Sequence, residues 1–134
     1  MPLIENDLVF ALLNLSDSRH EEASKFFRRL EVEGQHATLS CVALIEMEFV
    51  YMSNGLEGRL VNDLAAASAL PGVDLIPLTA DEVIAAAYLR GAYGLSFFDS
   101  HYAATALAED GIIISYDQAY EKVPGLKLVS PASL

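Results

Sequence analysis

The sequence predicts an α/β fold with a mainly parallel central sheet. Short apolar segments alternate with longer amphipathic segments along the chain, which is the order of strands and helices in such folds. The apolar run at 112–114 is unbroken, as is typical of a strand that is buried on both faces of its sheet. The 134 residues are enough for one domain with a core and too few for two ordinary ones, so we expect a single domain over 1–134.

Each predicted strand is a short apolar segment bounded by polar or turn-forming residues. Pro131 closes the last of them, because proline lacks the N–H group that a sheet needs. The five strands are predicted over 2–4, 36–39, 74–78, 112–115 and 126–130.

The predicted helices are longer segments in which apolar residues recur at helical spacing. Ser18 and Glu21 have the spacing of a capping box ahead of the second helix, and Thr79 and Glu82 have it ahead of the fifth. The third and fourth helices are apolar around much of their circumference, which predicts burial in the core or at an interface with another chain. The six helices are predicted over 8–15, 19–32, 41–52, 56–70, 83–93 and 96–110.

The chain is strongly acidic, with 8 lysines and arginines against 19 aspartates and glutamates and a net charge of −11. Such a charge favours solubility and disfavours non-specific binding to a polyanion, so contact with nucleic acid would need metal ions or a local basic patch. Lys25, Arg28 and Arg29 share one face of a predicted helix and are a candidate for that patch. The alternative is a solvated face on which they pair with neighbouring glutamates.

We expect neither a membrane protein nor a secreted one. No apolar run reaches the roughly 18–20 residues of a membrane span. The first ten residues have no basic region and already contain Glu5 and Asp7, unlike a signal peptide. Cys41 is the one cysteine, so it forms neither an internal disulfide nor a cysteine metal site. A cytoplasmic protein without a membrane segment is therefore predicted.

The residues that indicate chemistry are carboxylates. In an open parallel sheet, ligands bind beyond the carboxyl ends of the strands. Glu5 and Asp7 follow the first predicted strand, and Asp117 follows the fourth. Asp99 lies in the first turn of a predicted helix, and Glu46 lies in the middle of another. No serine, cysteine or lysine is paired with a histidine at a comparable place, so a nucleophilic enzyme is not indicated.

Glu46 lies on a helix face whose neighbours three and four residues away are apolar. A buried carboxylate is costly unless it is paired or binds a metal, so Glu46 is a candidate metal ligand. The alternatives are that this face meets water, or that Glu46 pairs with Arg59 or Arg90. Glu48 has similarly apolar neighbours, and the pattern alone does not choose between the two glutamates.

Asp99 and Asp117 each have a structural interpretation beside the functional one. Ser96 can cap the helix that follows it, and Asp99 would then be an acid favoured by the helix dipole. Ala103 and Ala106 share its face and would leave room there for a metal or a phosphate. Asp117 belongs to an ordinary turn or presents its carboxylate at the end of a strand.

A set of converging carboxylates needs a compensating charge. Without one, at least one of the acids takes up a proton. Mg²⁺ or Mn²⁺ fits this need, because these ions prefer oxygen ligands and are often held by a few carboxylates together with substrate phosphates. If the acids converge, they predict a site for one of these ions.

Several segments resemble the PIN domain family, the metal-dependent ribonuclease fold of the toxins in VapBC-type toxin–antitoxin pairs. The most specific is FFDSHYAATALAEDG followed by IIISYDQAYEKVPGLKLVSP. There an aspartate opens a helix with alanines, a strand ends in a second aspartate, and a last strand ends in proline. The segment 40–46 is similar to the part of the family that carries a conserved glutamate, and ALLNLSDSRHEEASKFF is similar to its first two helices.

The resemblance covers the whole chain and implies a three-layer α/β/α sandwich. Position by position, it implies that Glu46, Asp99 and Asp117 are acids of the metal site. Ser115 stands where the family often has a hydroxyl group that orders the carboxylates.

The first acid departs from the family pattern, which is an aspartate followed by Thr or Ser and then Asn. Glu5 stands at the aspartate, with one methylene more, and Asp7 stands at the asparagine. Either Glu5 reaches the metal from further back, or Asp7 takes over, or the site is weakened. The departure bears on activity more than on fold.

The resemblance implies hydrolysis of RNA phosphodiesters by water activated on one or two Mg²⁺ or Mn²⁺ ions. It also implies a homodimer formed with the third and fourth helices, and a small antitoxin protein of which a basic residue enters the acidic site. The alternative hypothesis is a catalytically weakened PIN-like domain that acts as a binding module. A phospho-acceptor receiver or an aspartyl-phosphate phosphatase is disfavoured, because no acid ends the third strand and Glu5 replaces the phosphatase's nucleophilic aspartate.

Overall fold

In the computed structural model, which describes residues 1–133, five strands form one sheet in the order β3-β2-β1-β4-β5. Every strand pair in this sheet is parallel. The prediction of an α/β fold on a parallel sheet is therefore confirmed. The strands are β1 (Leu3–Ile4), β2 (Ala37–Ser40), β3 (Val73–Ile76), β4 (Ile112–Ile114) and β5 (Lys127–Val129).

Six α-helices within the described residues complete a three-layer α/β/α sandwich. Two short 3-10 helices lie over 118–122 and 131–133. No helix within residues 1–133 is both long enough and apolar enough to cross a membrane. The helices are α1 (Asn6–Leu13), α2 (His20–Glu33), α3 (Val42–Ser53), α4 (Glu57–Ser68), α5 (Ala80–Tyr93) and α6 (Phe97–Ala108).

The start of α1 and the end of β3 differ from the prediction, and the first of these differences matters for the site. Helix α1 begins at Asn6 rather than at position 8, so Asn6 and Asp7 belong to its first turn. Strand β3 ends at Ile76, because Pro77 has no N–H group with which to continue the sheet. The first of these differences places a second polar side chain beside the end of β1.

Two predicted helix caps are present. Thr79 Oγ1 accepts a hydrogen bond from the backbone N–H of Glu82 at 3.2 Å at the start of α5. Ser96 Oγ accepts one from the backbone N–H of Asp99 at 3.3 Å at the start of α6. Asp99 therefore has a structural position in the first helical turn, whatever else its carboxylate does.

The capping box predicted from Ser18 and Glu21 is wrong. Helix α2 begins without a side-chain cap, and Arg19 occupies the N-cap position. Asp17 Oδ1 instead accepts a hydrogen bond from the backbone N–H of Arg19 at 2.8 Å. A short aspartate turn of this kind competes with the capping box for the same stretch of backbone.

Strand β1 is the middle strand of the sheet, and both of its residues are fully buried. Glu5 follows it directly and is still tied to the sheet, since its backbone N–H donates to the Ile114 carbonyl oxygen at 2.9 Å. The fold thus carries a glutamate into the interior, next to the carboxyl end of β4.

Candidate metal centre

The ends of β1 and β4 bring Glu5, Asp7 and Ser115 together. Ser115 Oγ lies 2.8 Å from Asp7 Oδ2 and 3.2 Å from Glu5 Oε2. The backbone N–H of Tyr116 also donates to Asp7 Oδ2, at 2.9 Å. Glu5 is only 6% exposed, and Ser115 is buried with it. These three side chains form one hydrogen-bonded group at the carboxyl edge of the sheet, where the sequence predicted them.

Glu46 is held in place by two side chains from other helices. The Tyr102 hydroxyl donates to Glu46 Oε1 at 2.7 Å, and Asn6 Nδ2 donates to the same oxygen at 3.0 Å. Asn6 Nδ2 also donates to the Ala43 carbonyl oxygen at 3.0 Å. Glu48, by contrast, is exposed. Glu46 is therefore the glutamate of α3 that faces the end of β1.

The arginines that were alternative partners of Glu46 are engaged elsewhere. Arg59 Nη2 lies 3.4 Å from Asp63 Oδ2, and Arg90 Nη1 donates to Ser100 Oγ at 2.8 Å. The half-buried carboxylate of Glu46 is thus oriented by neutral donors instead of by a cation.

Asp99 accepts a hydrogen bond from the Tyr120 hydroxyl through Oδ1 at 3.2 Å. The prediction that Ala103 and Ala106 leave room beside it is wrong, because both alanines are fully buried in the core. The open side of Asp99 is therefore not the alanine face of α6. Its charge acts instead toward Glu5 and Tyr120.

The electrostatics show that four acids share one region. Burial raises the pKa of Glu5 well above its usual value, and the nearby charges of Asp7, Glu46 and Asp99 raise it further. Burial also raises the pKa of Asp7, although hydrogen bonds from Tyr116, Glu5 and Ser115 act in the opposite direction. Burial and the neighbouring carboxylates thus favour the protonated form of Glu5 when no cation is bound.

The two tyrosines of the site remain hydrogen-bond donors at all ordinary pH values. Burial and the charge of Glu46 raise the pKa of Tyr102, and burial with the charges of Glu5 and Asp99 raises that of Tyr120. Both side chains are fully buried. Their hydroxyl groups therefore act as fixed donors that orient Glu46 and Asp99.

Asp117 occupies the rim of the site. Its side chain is exposed, and Oδ1 accepts a hydrogen bond from the backbone N–H of Ala119 at 2.9 Å, as in an ordinary turn. Its own backbone N–H donates to Ser115 Oγ at 2.9 Å. A surface pocket of about 390 Å³ includes Asp117, and its lining residues are Glu5, Asp7, Arg19, Tyr116, Asp117 and Gln118. Asp117 thus caps a turn and lines the same pocket as Glu5 and Asp7.

Sequence reasoning missed the roles of Asn6 and Tyr120. Asn6 lay outside the predicted helix, although an asparagine between two acids at the end of a strand was a usable signal. Tyr120 is brought to Asp99 by a turn that no local pattern specifies. Tyr102 is both buried in the core and bonded to Glu46.

The donor set fits a hard divalent cation. All candidate donors are oxygen atoms, and burial together with the neighbouring carboxylates raises the pKa of Glu5. Asn6 Oδ1 and Asp7 Oδ1 are buried and have no hydrogen-bond partner. Within residues 1–133, however, no group of three or more His, Cys, Asp or Glu side chains is arranged so that it could hold an ion as it stands.

In the predicted basic patch on α2, Lys25 and Arg29 contact other groups of the protein, whereas Arg28 is exposed. Lys25 Nζ lies 3.5 Å from Glu21 Oε1, on an exposed face. Arg29 Nη2 donates to the Pro131 carbonyl oxygen at 2.8 Å and so ties α2 to the last turn of the chain. The solvated-face interpretation describes Lys25, and a structural role describes Arg29.

The comparisons with known proteins agree with this architecture. The model of the PIN domain family matches residues 8–126. The chain is similar to the structure of VapBC2 from Rickettsia felis bound to a promoter DNA fragment, with a TM-score of 0.75 and 14% identity over 96% of each chain. No protein of curated function matches the sequence.

Two further solved structures have similar folds. One is VapC20 from Mycobacterium tuberculosis, a toxin that cleaves the sarcin–ricin loop, with a TM-score of 0.74 and 18% identity over 90% of this chain and 93% of that one. The other is FitAcB from Neisseria gonorrhoeae, with a TM-score of 0.72 and 19% identity over 100% of both chains. At these identities the likeness shows the fold alone.

Proposed function

Because this chain belongs to the PIN domain family, we propose that it is a metal-dependent ribonuclease and the toxin of a toxin–antitoxin pair. The observation that carries the proposal is the convergence of Asp7, Glu46 and Asp99 on Glu5, at the carboxyl end of β1. Structural neighbours from toxin–antitoxin complexes support the biological context. The proposal treats 1–134 as one PIN-like domain that acts on RNA in the cytoplasm.

The proposed ligands of Mg²⁺ or Mn²⁺ are Glu5, Glu46, Asp99 and Asp117. Bound there, such an ion supplies a water of lowered pKa and stabilises negative charge on the leaving oxygen. Ser115 orients the carboxylates of Glu5 and Asp7, and Asp7 is the second candidate for the first ligand. Asp7 accepts hydrogen bonds from Ser115 and from the backbone N–H of Tyr116, and these bonds act to lower its pKa. The pKa of Glu5, in contrast, is raised well above its usual value.

The residues around the acids serve orientation rather than proton transfer. The hydroxyl groups of Tyr102 and Tyr120 each fix one oxygen of a carboxylate and leave the other oxygen for a ligand. Asn6 holds Glu46 from the opposite helix and adds an unpartnered amide oxygen. Such outer partners commonly set the orientation and affinity of carboxylate ligands.

The test is cleavage of RNA by the purified protein with Mn²⁺ and with EDTA. The substrates are a mixed single-stranded RNA and a sarcin–ricin loop hairpin, the latter because a structural neighbour cleaves that loop. We expect cleavage with Mn²⁺, none with EDTA, and none by Asp99→Asn. Asp81→Asn is the matched control, since Asp81 also lies in the first turn of a helix but outside the acidic site. Cleavage that persists in EDTA, or in Asp99→Asn, would contradict the proposal.

A second candidate function is a binding module with a weakened metal site. It is favoured by Glu5, which departs from the family's aspartate, and by the arrangement of the acids, since no three His, Cys, Asp or Glu side chains within 1–133 are placed to hold an ion. This candidate predicts RNA binding without cleavage, under conditions in which the repaired variant Glu5→Asp/Asp7→Asn cleaves.

We also propose that the chain forms a homodimer through α3 and the neighbouring helices. Phe49 and Met52 on α3 are 61% and 62% exposed, and Phe49 packs on Phe98 of α6 with ring centroids 5.9 Å apart. Exposed apolar side chains on adjacent helices are typical of an interface. Light scattering should give a dimer mass for the wild type and a monomer mass for Met52→Glu. Val32→Glu, at an exposed apolar residue of α2, should remain dimeric.

A small antitoxin is the second proposed partner. The acidic pocket lined by Glu5, Asp7 and Asp117 is complementary to a basic side chain, which would compete there with a metal ion. Co-expression with the product of a small neighbouring reading frame should abolish cleavage, and purification of the complex should yield protein without bound Mn²⁺. Full cleavage by that complex would contradict the proposed pairing.

A further inference from the structure

One basic residue lies among the acids of the pocket. Arg19 lines it together with Glu5, Asp7 and Asp117, and it is the only lysine or arginine to do so in residues 1–133. It precedes α2 at the N-cap position and is exposed to solvent. The basic patch predicted further along the same helix differs, because two of its three side chains, Lys25 and Arg29, contact other groups of the protein.

The Arg19 guanidinium is held by stacking. Its Cζ atom lies 4.4 Å from the centroid of the Tyr116 ring. The backbone N–H of Tyr116 donates to Asp7 Oδ2, so the ring on which Arg19 stacks is fixed to the acidic site. The backbone of Arg19 is fixed as well, because its N–H donates to Asp17 Oδ1 at 2.8 Å. Arg19 is therefore held beside the carboxylates from both its ends.

The stacked guanidinium keeps its donors for a ligand. Within residues 1–133 Arg19 forms no salt bridge, whereas Lys25 and Arg59 each pair with an acid. Stacking uses the flat face of the guanidinium and leaves the N–H groups along its edge, which match two oxygens of a phosphate group. A cation held over an aromatic ring is also well suited to contact a neighbouring nucleotide.

A ribonuclease with this charge needs such a group. The chain carries a net charge of −11, and the acids of the site add local repulsion toward a polyanion. Metal ions between the carboxylates would offset this repulsion at the cleaved phosphate but not at the phosphates on either side. We propose that Arg19, stacked on Tyr116, binds a backbone phosphate of the RNA next to the cleaved one and so positions the strand across the acidic pocket. This inference rests on the proposed ribonuclease function.

The test measures RNA binding separately from cleavage. Asp99→Asn serves as a non-cleaving background, and a labelled single-stranded RNA is titrated in EDTA at several salt concentrations by fluorescence anisotropy. Arg19→Gln in this background should weaken binding by about tenfold, as expected for loss of a charge-assisted hydrogen bond. The slope of log K against log salt should fall by about 0.7, the value for one phosphate contact on a single strand.

Lys127→Gln is the matched control. It makes the same change in net charge, but Lys127 is exposed at the amino end of β5, at the opposite edge of the sheet from Glu5 and Ser115. We expect its RNA affinity to stay within about twofold of the background, because remote surface charges are screened by salt. Equal losses in Arg19→Gln and Lys127→Gln would overturn the proposal and leave only a bulk charge effect.

Arg19→Lys separates stacking from charge. Lysine keeps the charge but lacks the planar fork, so we expect it to recover the salt slope and only part of the affinity. In the cleaving protein with Mn²⁺, Arg19→Gln should raise KM more than it lowers kcat. If the wild type cleaves RNA but Arg19→Gln leaves RNA binding and KM unchanged, the role of Arg19 is refuted and the ribonuclease function is not. Failure of the wild type to bind or cleave any RNA would refute the ribonuclease function as well.

Discussion

The acids of the site form two pairs that are built differently. In the tyrosine-held pair, Glu46 and Asp99, each carboxylate accepts a hydrogen bond from a buried tyrosine hydroxyl. In the serine-linked pair, Glu5 and Asp7, both carboxylates share Ser115, and burial with mutual repulsion raises the pKa of Glu5. The first pair is oriented by neutral donors, whereas in the second pair burial raises the pKa of both carboxyl groups and so favours a bound proton when no cation is present. The difference teaches that the two pairs should respond differently to substitution, because fixed donors orient one pair and burial with mutual repulsion acts on the other.

The largest effect is expected from breaking the tyrosine-held pair at Glu46. Glu46→Gln should lower Mn²⁺-dependent cleavage by more than about 100-fold, beyond the range that is common for changes in outer-shell partners. Glu48→Gln should leave cleavage nearly unchanged, because Glu48 is exposed on the same helix and bonds to nothing in the site. Initial rates on one RNA substrate measure both variants. Similar losses in the two variants would mean that α3 contributes only through its charge.

The next effect comes from the donor that orients Glu46. Tyr102→Phe keeps the buried ring and removes the hydroxyl group that lies 2.7 Å from Glu46 Oε1. We expect cleavage and Mn²⁺ affinity to fall by about tenfold, the low end of the range for outer-shell partners of a metal site. Mn²⁺ affinity is measured by titration calorimetry, with the exposed Tyr88→Phe as the control. An unchanged Mn²⁺ affinity would mean that Asn6 alone positions Glu46.

The sequence predicted the parallel sheet and the edge at which the acids meet, because both follow from the order and hydrophobicity of the segments. The apolar pattern did not distinguish Glu46 from Glu48, since both have apolar neighbours and the packing of α3 on α6 decides which of them is covered, so Glu46 was chosen by the family resemblance alone. It also placed Asn6 and Asp7 outside a helix, because Glu5 opens α1 without a side-chain cap. Contacts such as that between Tyr120 and Asp99, made across 21 residues by a turn, leave no periodic signal.

Repair of the serine-linked pair tests whether its departure from the family weakens the site. Glu5→Asp/Asp7→Asn restores the family's order of acid and amide. It should also relieve the repulsion between Glu5 and Asp7, which raises the pKa of Glu5. We expect a gain in Mn²⁺-dependent cleavage of a few-fold, well below the roughly 100-fold effect that a 1 Å misplacement can have. A gain from no activity at all would instead identify the natural protein as a binding module.

The two single substitutions, Glu5→Asp and Asp7→Asn, are the controls for the double variant. Glu5→Asp alone shortens the side chain and keeps the repulsion, whereas Asp7→Asn alone removes the repulsion and keeps the longer acid. If Asp7 is the true first ligand, Asp7→Asn should abolish cleavage and the double variant should stay inactive. Loss of cleavage in Glu5→Asp together with full activity in Asp7→Asn would assign the ligand to Glu5.

The smallest effect is on stability, and it has a definite sign. A carboxyl group whose pKa is raised in the folded protein stabilises the fold below its unfolded pKa, near 4.5, and this contribution is lost as the pH rises through the folded value. Glutamine imitates the protonated form, so Glu5→Gln should be more stable than the wild type in EDTA, by a margin that grows as the pH rises above about 4.5. Thermal unfolding across pH 4 to 9, at about one unit intervals, measures this margin, and Glu48→Gln supplies the exposed control.

Mn²⁺ should stabilise the wild type more at high pH than at low pH, because the ion replaces the proton that Glu5 otherwise keeps. A margin that shrinks with rising pH would show that Glu5 is already charged in the folded protein and that the two pairs do not differ in the way described.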